Sequence, residues 1–223
     1  MSYTFDQILS LRGTAPPPSG QIQLWPLDLR VDPDAHPRAS ADLAKRAATH
    51  LLALHTGMKP ESVVLETSKH GKPHLPGTDL RFNISHSGEF GIVAISRGFE
   101  IGVDTELLRP RANVIRLARR FFAPEEVDRV ERASAEEQLA VFYRIWTRKE
   151  AFLKAIGIGI RLKLSCFAVS ADPGCRSALE RCDIDEYARE AWRVADLKMG
   201  DGVFAAVAAK GEDWEPKVMS PDL

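Results

Sequence analysis

The sequence has little cysteine, no long hydrophobic run and no signal-peptide pattern. Its three cysteines among 223 residues are Cys166, Cys175 and Cys182, an odd number without a C-x-x-C spacing, which excludes a disulfide framework and a cysteine zinc site. The longest apolar stretches, residues 91–95 and 203–209, fall far short of the roughly 20 residues that a membrane helix needs. We therefore expect a reduced, cytoplasmic protein that is not inserted in a membrane.

The sequence also has almost no net charge. Its 30 Lys and Arg and 31 Asp and Glu residues give a formal charge of −1, which argues against a dedicated nucleic-acid-binding protein. One local exception is the stretch 107–124, which has five arginines and no acidic residue. This basic patch is either a solvated helix face or a surface that attracts an acidic partner. The arginines are Arg109, Arg111, Arg116, Arg119 and Arg120.

Strand-like and helix-like segments occur in both parts of the chain, which predicts a mixed α+β fold. We interpret residues 1–20, which end in a proline run, as an N-terminal linker or surface wrap. Residues 21–106 would form an N-terminal half, residues 107–215 a C-terminal half, and residues 216–223 a loose tail. A strand is predicted over 21–29, where Pro26 should make it an edge strand or shorten it.

The periodicity of apolar residues predicts the remaining elements. A helix is predicted over residues 40–55, and three short strands between 79 and 106 suggest an antiparallel meander. Two helices are predicted over about 113–132 and about 135–156, the second ending at Gly157. Further strands are predicted at 165–170, 192–197 and 203–209.

The predicted strand 101–106 carries the most informative residues. Because side chains alternate in a strand, Gly102, Asp104 and Glu106 share one face. Two carboxylates that project together provide the hard oxygen ligands that Mg²⁺ prefers, and Gly102 would leave room for a ligand. The alternative is a solvated strand face with two exposed acids.

A second group of residues lies on the predicted helix 135–156. Trp146, Glu150 and Lys154 are spaced by four residues and share one helix face. A Glu and a Lys at this spacing are also the ordinary pair on a solvent-facing helix surface, so the pattern alone leaves both interpretations open.

A third group of residues lies at a turn and at a strand end in the first half. Lys72, in the turn Gly71-Lys72-Pro73, and Ser85 and His86, at a strand end, offer a cation, a hydroxyl and an imidazole that suit phosphate oxygens. All six histidines lie in the first 86 residues without ligand-like spacing. Metal binding by histidine is therefore not predicted.

Taken in their order along the chain, the three groups of residues resemble the motifs of the 4′-phosphopantetheinyl transferases of the Sfp type. The similarity extends over about residues 69–170, and residues 1–20 have no counterpart in the family. The motifs that carry the resemblance are Gly71-Lys72-Pro73, Asn83-Ile84-Ser85-His86, Gly102-Val103-Asp104-Thr105-Glu106, Trp146 with Lys149, Glu150 and Lys154, and the segments Arg120-Phe121-Phe122 and Gly157-Ile158-Gly159.

The resemblance implies a fold of two similar α/β halves related by a pseudo-twofold axis, in a monomer. It also implies transfer of the phosphopantetheine arm of coenzyme A to a serine of an apo acyl or peptidyl carrier protein, with release of adenosine 3′,5′-bisphosphate. Mg²⁺ would be held by Asp104, Glu106 and Glu150. Glu150 would act, directly or through a water, as the base for the serine hydroxyl, and Lys154 would neutralise or protonate the leaving phosphate.

The same resemblance implies the residues that contact the substrates. His86 is counted with the catalytic residues, and coenzyme A would be positioned by Lys72, Ser85, His86, Lys149 and Lys154. Arg46 is the preferred candidate for the 3′-phosphate of coenzyme A. An acidic helix of the carrier protein would dock on Arg109 to Phe122.

Two other functions remain open from the sequence. One is Mg²⁺-dependent hydrolysis of a nucleoside diphosphate compound, with water as the nucleophile, although the long Glu-rich box of Nudix hydrolases is absent. The other is a module that binds coenzyme A or carrier protein without catalysis. Replacement of Asp104 by Ala would abolish the function of an enzyme and leave that of a binding module intact.

Overall fold

Helices and strands are intermixed along the chain, which confirms the predicted α+β class. The computed structural model describes residues 1–32, 34–111, 113–158, 162–175, 178–183 and 192–221. The α-helices are α1 (Phe5–Ser10), α2 (Ala39–Thr56), α3 (Val114–Phe121), α4 (Pro124–Arg132) and α5 (Gln138–Ile156). The strands are β1 (Gln21–Asp28), β2 (Glu66–Thr67), β3 (Pro73–His74), β4 (Leu80–Ser87), β5 (Phe90–Arg97), β6 (Ile101–Leu107), β7 (Phe167–Val169), β8 (Leu179–Cys182), β9 (Trp192–Asp196), β10 (Val203–Lys210) and β11 (Glu215–Val218).

Two larger sheets form the centre of the fold. The first has the strand order β11-β1-β5-β4 and the second the order β6-β10-β9. Their facing surfaces bury Leu24 and Ile92 of the first sheet against Val103 and Val207 of the second. The outer face of each sheet is covered by a helix, since an apolar sheet face must pack against another element. Helix α2 packs on the first sheet, and α5 packs on the second.

Both ends of the chain pack against the fold more closely than a linker or a loose tail would. Tyr3 forms a parallel bridge with Leu27, and Ile8 of α1 is fully buried. The first 20 residues are therefore a surface wrap, which was one of the two predicted alternatives. The predicted tail 216–223 is corrected in part, because β11 pairs in parallel with β1 from Glu215 to Val218.

Strand β1 is not an edge strand, which corrects the expectation drawn from Pro26. It lies between β11 and β5. Pairing with β11 ends at Leu24, and the carbonyl of Pro26 then accepts the amide of Tyr3. Since the nitrogen and carbonyl of one residue point to the same side of a strand, the missing donor of Pro26 faces the side that β11 has already left.

The predicted meander is only half correct. Strands β4 and β5 form an antiparallel hairpin, but β6 pairs with β10, with Asp104 opposite Ala206. The strand with the two carboxylates thus belongs to the second sheet, and the predicted boundary at residue 106 does not divide the sheets. The pseudo-twofold relation of two halves stays a prediction.

The predicted helix over 113–132 is two helices. Helix α3 ends at Phe121, and α4 begins at Pro124 with Ala123 in an extended conformation. A proline disfavours helical geometry in the residue before it and fits well at the first helical position, which explains the break. Helices α2 and α5 confirm the other predictions, and α5 ends at Gly157 in a left-handed conformation with φ of 71°.

Candidate active site

The site begins with a very close contact between strand β6 and helix α5. A Cβ atom added to Gly102 would lie 2.2 Å from the carbonyl oxygen of Ala151 and 2.2 Å from the amide nitrogen of Ala155. The glycine therefore makes room for the helix backbone and not for a ligand, which corrects our interpretation of this residue. The contact brings one face of α5 next to Asp104, two residues farther along β6.

Lys154 of α5 joins this helix to both sheets. Its ammonium donates hydrogen bonds to Asp104 Oδ1 at 2.7 Å and to Ser85 Oγ at 2.9 Å. The Ser85 hydroxyl in turn donates to the same Asp104 oxygen at 2.9 Å. The cation of α5, the carboxylate of β6 and the hydroxyl of β4 thus form one hydrogen-bonded group.

A cavity of about 1080 Å³ opens above this group. One part of its wall is polar and includes Asp104, Glu106, Glu150 and Lys154. Another part is apolar and is built from six side chains. These are Ile84, Phe121, Trp146, Leu153, Leu162 and Leu164. The three predicted metal ligands therefore line one cavity. Their roles stay a prediction.

The electrostatics of Glu150 differ from those of a solvated glutamate. Burial raises the pKa of its carboxyl, and the nearby carboxylates of Asp104 and Glu106 raise that pKa further, while Lys154 opposes the change. Like charges that raise a carboxyl pKa are partly relieved when a cation binds between them. The three acids thus have the electrostatic character of a cation site.

The donor set fits Mg²⁺, although the protein alone does not surround an ion. Asp104 Oδ2 is buried and has no hydrogen-bond partner, so an acceptor oxygen is available to a ligand. Among the described residues, no three His, Cys, Asp or Glu side chains are arranged to hold a metal ion. Mg²⁺ commonly takes one or two protein carboxylates and completes its shell with substrate phosphates and water.

The other predicted contacts of coenzyme A do not all line this cavity. Ser85 and His86 line it. Lys72 lines a smaller adjoining cavity of about 190 Å³ that shares Leu153 and Lys154 with the larger one. The Lys72 ammonium already contacts three acceptors, the carboxylate of Glu100 and two backbone carbonyls, and burial lowers the pKa of Lys72.

Arg46 does not join this group of residues. It lies on α2, on the outer side of the first sheet, where its guanidinium stacks over the ring of Phe5 with 4.5 Å between them. It is absent from the lining of both cavities. The structure therefore does not bring Arg46 to the two cavities, and its contact with a 3′-phosphate stays a prediction.

Lys149 does not line the cavity either, because its side chain is fully buried in the core. Its ammonium donates to both carboxylate oxygens of Glu126 at 2.7 Å and to the carbonyl of Phe167 at 2.6 Å. These three bonds use all three donors of an ammonium group. Lys149 therefore fixes α5 to α4 and β7 and has no donor left for coenzyme A.

The two aromatic residues of Arg120-Phe121-Phe122 also separate. Phe121 lines the cavity and meets Trp146 edge-on, with 6.0 Å between ring centroids. Phe122 is buried and stacks on Phe142, so it is not available to a docking carrier protein. Arg120 remains exposed at the cavity wall. Of the second segment, Gly159 lies outside the described residues.

Sequence reasoning missed two parts of the site. Residues 162–165 line the cavity after α5, and Lys163 is an exposed cation there. In the sequence, the only indication of this segment was a lysine between two leucines shortly after the end of α5. Ser87 was also missed, although its hydroxyl donates to Glu106 Oε2 at 2.7 Å. The alternation Asn83, Ser85, Ser87 was the available signal, because these residues share one strand face.

Comparison with known proteins agrees with this geometry. The profile of the 4′-phosphopantetheinyl transferase superfamily matches residues 100–208. The 4′-phosphopantetheinyl transferase HetI of Nostoc sp. (strain PCC 7120) is 34% identical over 171 residues, which cover 75% of this chain and 69% of HetI. Sfp of Bacillus subtilis (strain 168) is 33% identical over 137 residues, or 61% of this chain and 58% of Sfp.

A putative 4′-phosphopantetheinyl transferase of Synechocystis sp. (strain PCC 6803) is 42% identical over 113 residues. That alignment spans 49% of this chain and 46% of the relative, so the chain matches only about half of that protein's length. The protein belongs to the 4′-phosphopantetheinyl transferase superfamily, as the motifs predicted. None of the described helices combines the length and apolar character that crossing a membrane requires.

Proposed function

We propose that this protein transfers the 4′-phosphopantetheine group of coenzyme A to a serine hydroxyl of an apo acyl or peptidyl carrier protein, with Mg²⁺ as cofactor. In this reaction the serine oxygen forms a bond to one phosphorus of the diphosphate. The bond from that phosphorus to the bridging oxygen breaks, adenosine 3′,5′-bisphosphate leaves, and the serine proton passes to a base. Membership of the superfamily supports the reaction class, and the cavity supports the assignment of residues.

The observation that carries the proposal is the division of one cavity into a charged and an apolar part. The charged part, with Asp104, Glu150 and Lys154, suits a diphosphate and its cation. The apolar part, with Phe121 and Trp146, suits the long pantetheine arm. A phosphopantetheine group has this same division along its length.

Phosphoryl-type transfer depends mainly on alignment and charge neutralisation. Asp104, Glu106 and Glu150 would hold Mg²⁺, which when bound would neutralise charge on the diphosphate. Glu150 would accept the serine proton, directly or through a water. Lys154 faces the same space and would neutralise or protonate the leaving phosphate.

The smaller cavity suggests where coenzyme A continues. It adjoins the larger one through Lys154 and is lined by His70, Gly71 and Lys72. We assign the nucleotide end of coenzyme A to this side, while Ser85 and His86 would contact coenzyme A in the larger cavity. Lys72 would contact it only if the ammonium exchanges one of its three present acceptors.

The carrier protein would approach from the side of helix α3. Arg120 borders the cavity, and Arg116 is exposed one helical turn earlier. An acidic helix of the carrier would be attracted to this face, while its serine reaches Glu150 through the open cavity.

The test is the intact mass of apo carrier proteins after incubation with this protein, coenzyme A and Mg²⁺. We expect a gain of about 340 Da on the carrier serine, because that is the mass of one transferred group, and no gain with EDTA. Asp104→Ala should abolish the gain. Glu89→Gln, an exposed acid on the β4–β5 turn, is the matched control and should transfer normally.

Two outcomes would favour the rival functions. Release of phosphopantetheine in the absence of any carrier would indicate a Mg²⁺-dependent hydrolase. Binding of coenzyme A with no mass gain on any carrier, and with Asp104→Ala equivalent to wild type, would indicate a non-catalytic binding module.

A further inference from the structure

The two sheets meet where β4 lies beside β6, and we call this contact the seam. Hydrogen bonds from the β6 backbone to β4 side chains join the two strands there, in place of backbone-to-backbone pairing. Strand β4 contributes three polar side chains from one face, and each accepts a hydrogen bond from a backbone amide of β6. Asn83 accepts from Val103 at 2.9 Å, Ser85 from Thr105 at 3.2 Å and Ser87 from Leu107 at 3.2 Å. Each acceptor lies 20 residues before its donor, so the register is constant along the seam.

Two of these three side chains have a second task. Ser85 donates to Asp104, and Ser87 donates to Glu106 Oε2 at 2.7 Å. Asn83 has the same place in the seam, but the β6 residue before its donor is Gly102, which has no carboxylate to receive a bond. The seam therefore has one position without a carboxylate partner and two positions that each hold a carboxylate.

Ser87 has the simpler geometry of the two serines. The Ser85 hydroxyl also accepts a hydrogen bond from Lys154. In the described part of the chain, the Ser87 hydroxyl has two hydrogen bonds, one from the Leu107 amide and one to Glu106. Its hydrogen is committed to Glu106, because its lone pair accepts the amide. A hydroxyl anchored in this way fixes the side-chain orientation of the carboxylate that it donates to.

We propose that Ser87 is a positioning residue that holds Glu106 in the orientation needed to bind the divalent cation. This inference rests on the proposed function, since it assumes that Glu106 is a metal ligand. The hydroxyl does not touch the substrate or the ion. It restricts Glu106, so that the cation does not have to order a flexible side chain when it binds.

The experiment measures metal affinity directly, with Mn²⁺ as a paramagnetic substitute for Mg²⁺. Free Mn²⁺ is quantified by electron paramagnetic resonance during titration of the full chain with coenzyme A present and carrier absent, so that no turnover occurs. Ser87→Ala should weaken Mn²⁺ binding by about 10- to 100-fold, the range for loss of a ligand's hydrogen-bond partner. Ser87→Thr, which keeps the hydroxyl, should restore most of it.

Ser96→Ala is the matched control, because it removes a fully buried serine hydroxyl of β5 that donates to the Phe99 carbonyl at 2.8 Å and lines neither cavity. It should lower stability in urea at least as much as Ser87→Ala while Mn²⁺ affinity stays near that of wild type. Equal loss of Mn²⁺ affinity in both variants, or no loss in Ser87→Ala, would overturn the role of Ser87. Failure of wild type to bind Mn²⁺ would instead overturn the metal site itself, and the inference with it.

Discussion

Gly102 of strand β6 lies against the backbone of Ala151 in helix α5, so closely that a Cβ on residue 102 would come within 2.2 Å of the Ala151 carbonyl oxygen. This contact sets the distance between the strand that carries Asp104 and the helix that carries Glu150 and Lys154. The 2.7 Å bond from Lys154 to Asp104 depends on it. The glycine is therefore a structural condition of the site, although it touches no ligand.

Replacement of Gly102 by Ala should damage both stability and transfer. The nearest atoms are backbone atoms of a helix, which cannot rotate away, so the strand and helix must separate. We expect a loss of about 1–3 kcal/mol in the free energy of unfolding, as for other overpacked cores, and a much reduced kcat. Urea denaturation and the carrier-mass assay measure the two effects.

Gly91→Ala is the matched control for this substitution. It lies in β5, and the added Cβ would meet a methyl group of Leu29 at 2.6 Å, which is the end of a flexible side chain. We expect Gly91→Ala to cost some stability and to leave kcat nearly unchanged. A Gly102→Ala protein with wild-type kcat would contradict the importance of the contact.

The elements that depend on local spacing were predictable from the sequence. The apolar period and Gly157 placed α5 to within a few residues, and alternation placed Asp104 and Glu106 together at the cavity. The pairing of β6 with β10 was not predictable, because it joins residues about 100 positions apart. Local periodicity contains no information about which sheet a strand enters.

The helix motif shows the same limit at the level of single residues. Lys149 and Glu150 are adjacent, and successive helix residues point about 100° apart. Glu150 consequently lines the cavity, whereas Lys149 enters the core beside Glu126. Which of two neighbours faces the cavity depends on where α4 and β7 pack, and the motif does not encode that.

The raised pKa of Glu150 predicts the acid side of the pH profile. The carboxylate must be ionised to accept the serine proton, so kcat/KM should fall as the pH decreases through this pKa. Because burial and two acidic neighbours raise it above the ordinary 4.5, the fall should begin above that pH. A cation favours the ionised form, so a higher Mg²⁺ concentration should move the fall to lower pH.

Rates measured from about pH 5 to about pH 8 at two Mg²⁺ concentrations test this expectation. Glu150→Gln, which has similar size and no ionisable group, should lose most activity and show no such Mg²⁺-dependent limb. A limb that is the same at both Mg²⁺ concentrations would assign it to a different group.

The basic face of α3 predicts a salt-dependent interaction with the carrier. Reversal of charge in Arg116→Glu/Arg120→Glu should raise the KM for the carrier by about tenfold or more at low ionic strength and leave the KM for coenzyme A less affected. The difference from wild type should shrink as salt is added. Steady-state kinetics over a salt series would measure it.

The control for these charge changes is Arg38→Glu, at the exposed residue that immediately precedes α2. It alters net charge without altering the α3 face, so the KM for the carrier should remain close to that of wild type. If Arg38→Glu weakened the carrier interaction as much per charge, the effect would reflect net charge and not a docking face.

The buried pair of Lys149 and Glu126 predicts a stability effect that separates a structural lysine from a coenzyme-binding one. Both side chains are fully buried, and burial lowers the pKa of Lys149 and raises that of Glu126. Lys149→Met leaves a carboxyl buried without its cation, which should lower the free energy of unfolding by about 3–5 kcal/mol.

Neutralising both partners should reverse much of this loss. The carboxylate oxygens of Glu126 accept one backbone amide each, from Ala123 and from Val169. In Lys149→Met/Glu126→Gln the single amide oxygen can keep one of these two hydrogen bonds, and no buried charge remains. Urea denaturation should therefore show a more stable protein than Lys149→Met. The control Lys163→Met, which removes an exposed cation from the cavity wall, should barely change stability.

The double variant Lys149→Met/Glu126→Gln should also keep a wild-type KM for coenzyme A, because the ammonium of Lys149 does not reach the cavity in the wild-type protein. A large increase in that KM, with stability recovered, would return Lys149 to the coenzyme site and refute the structural role.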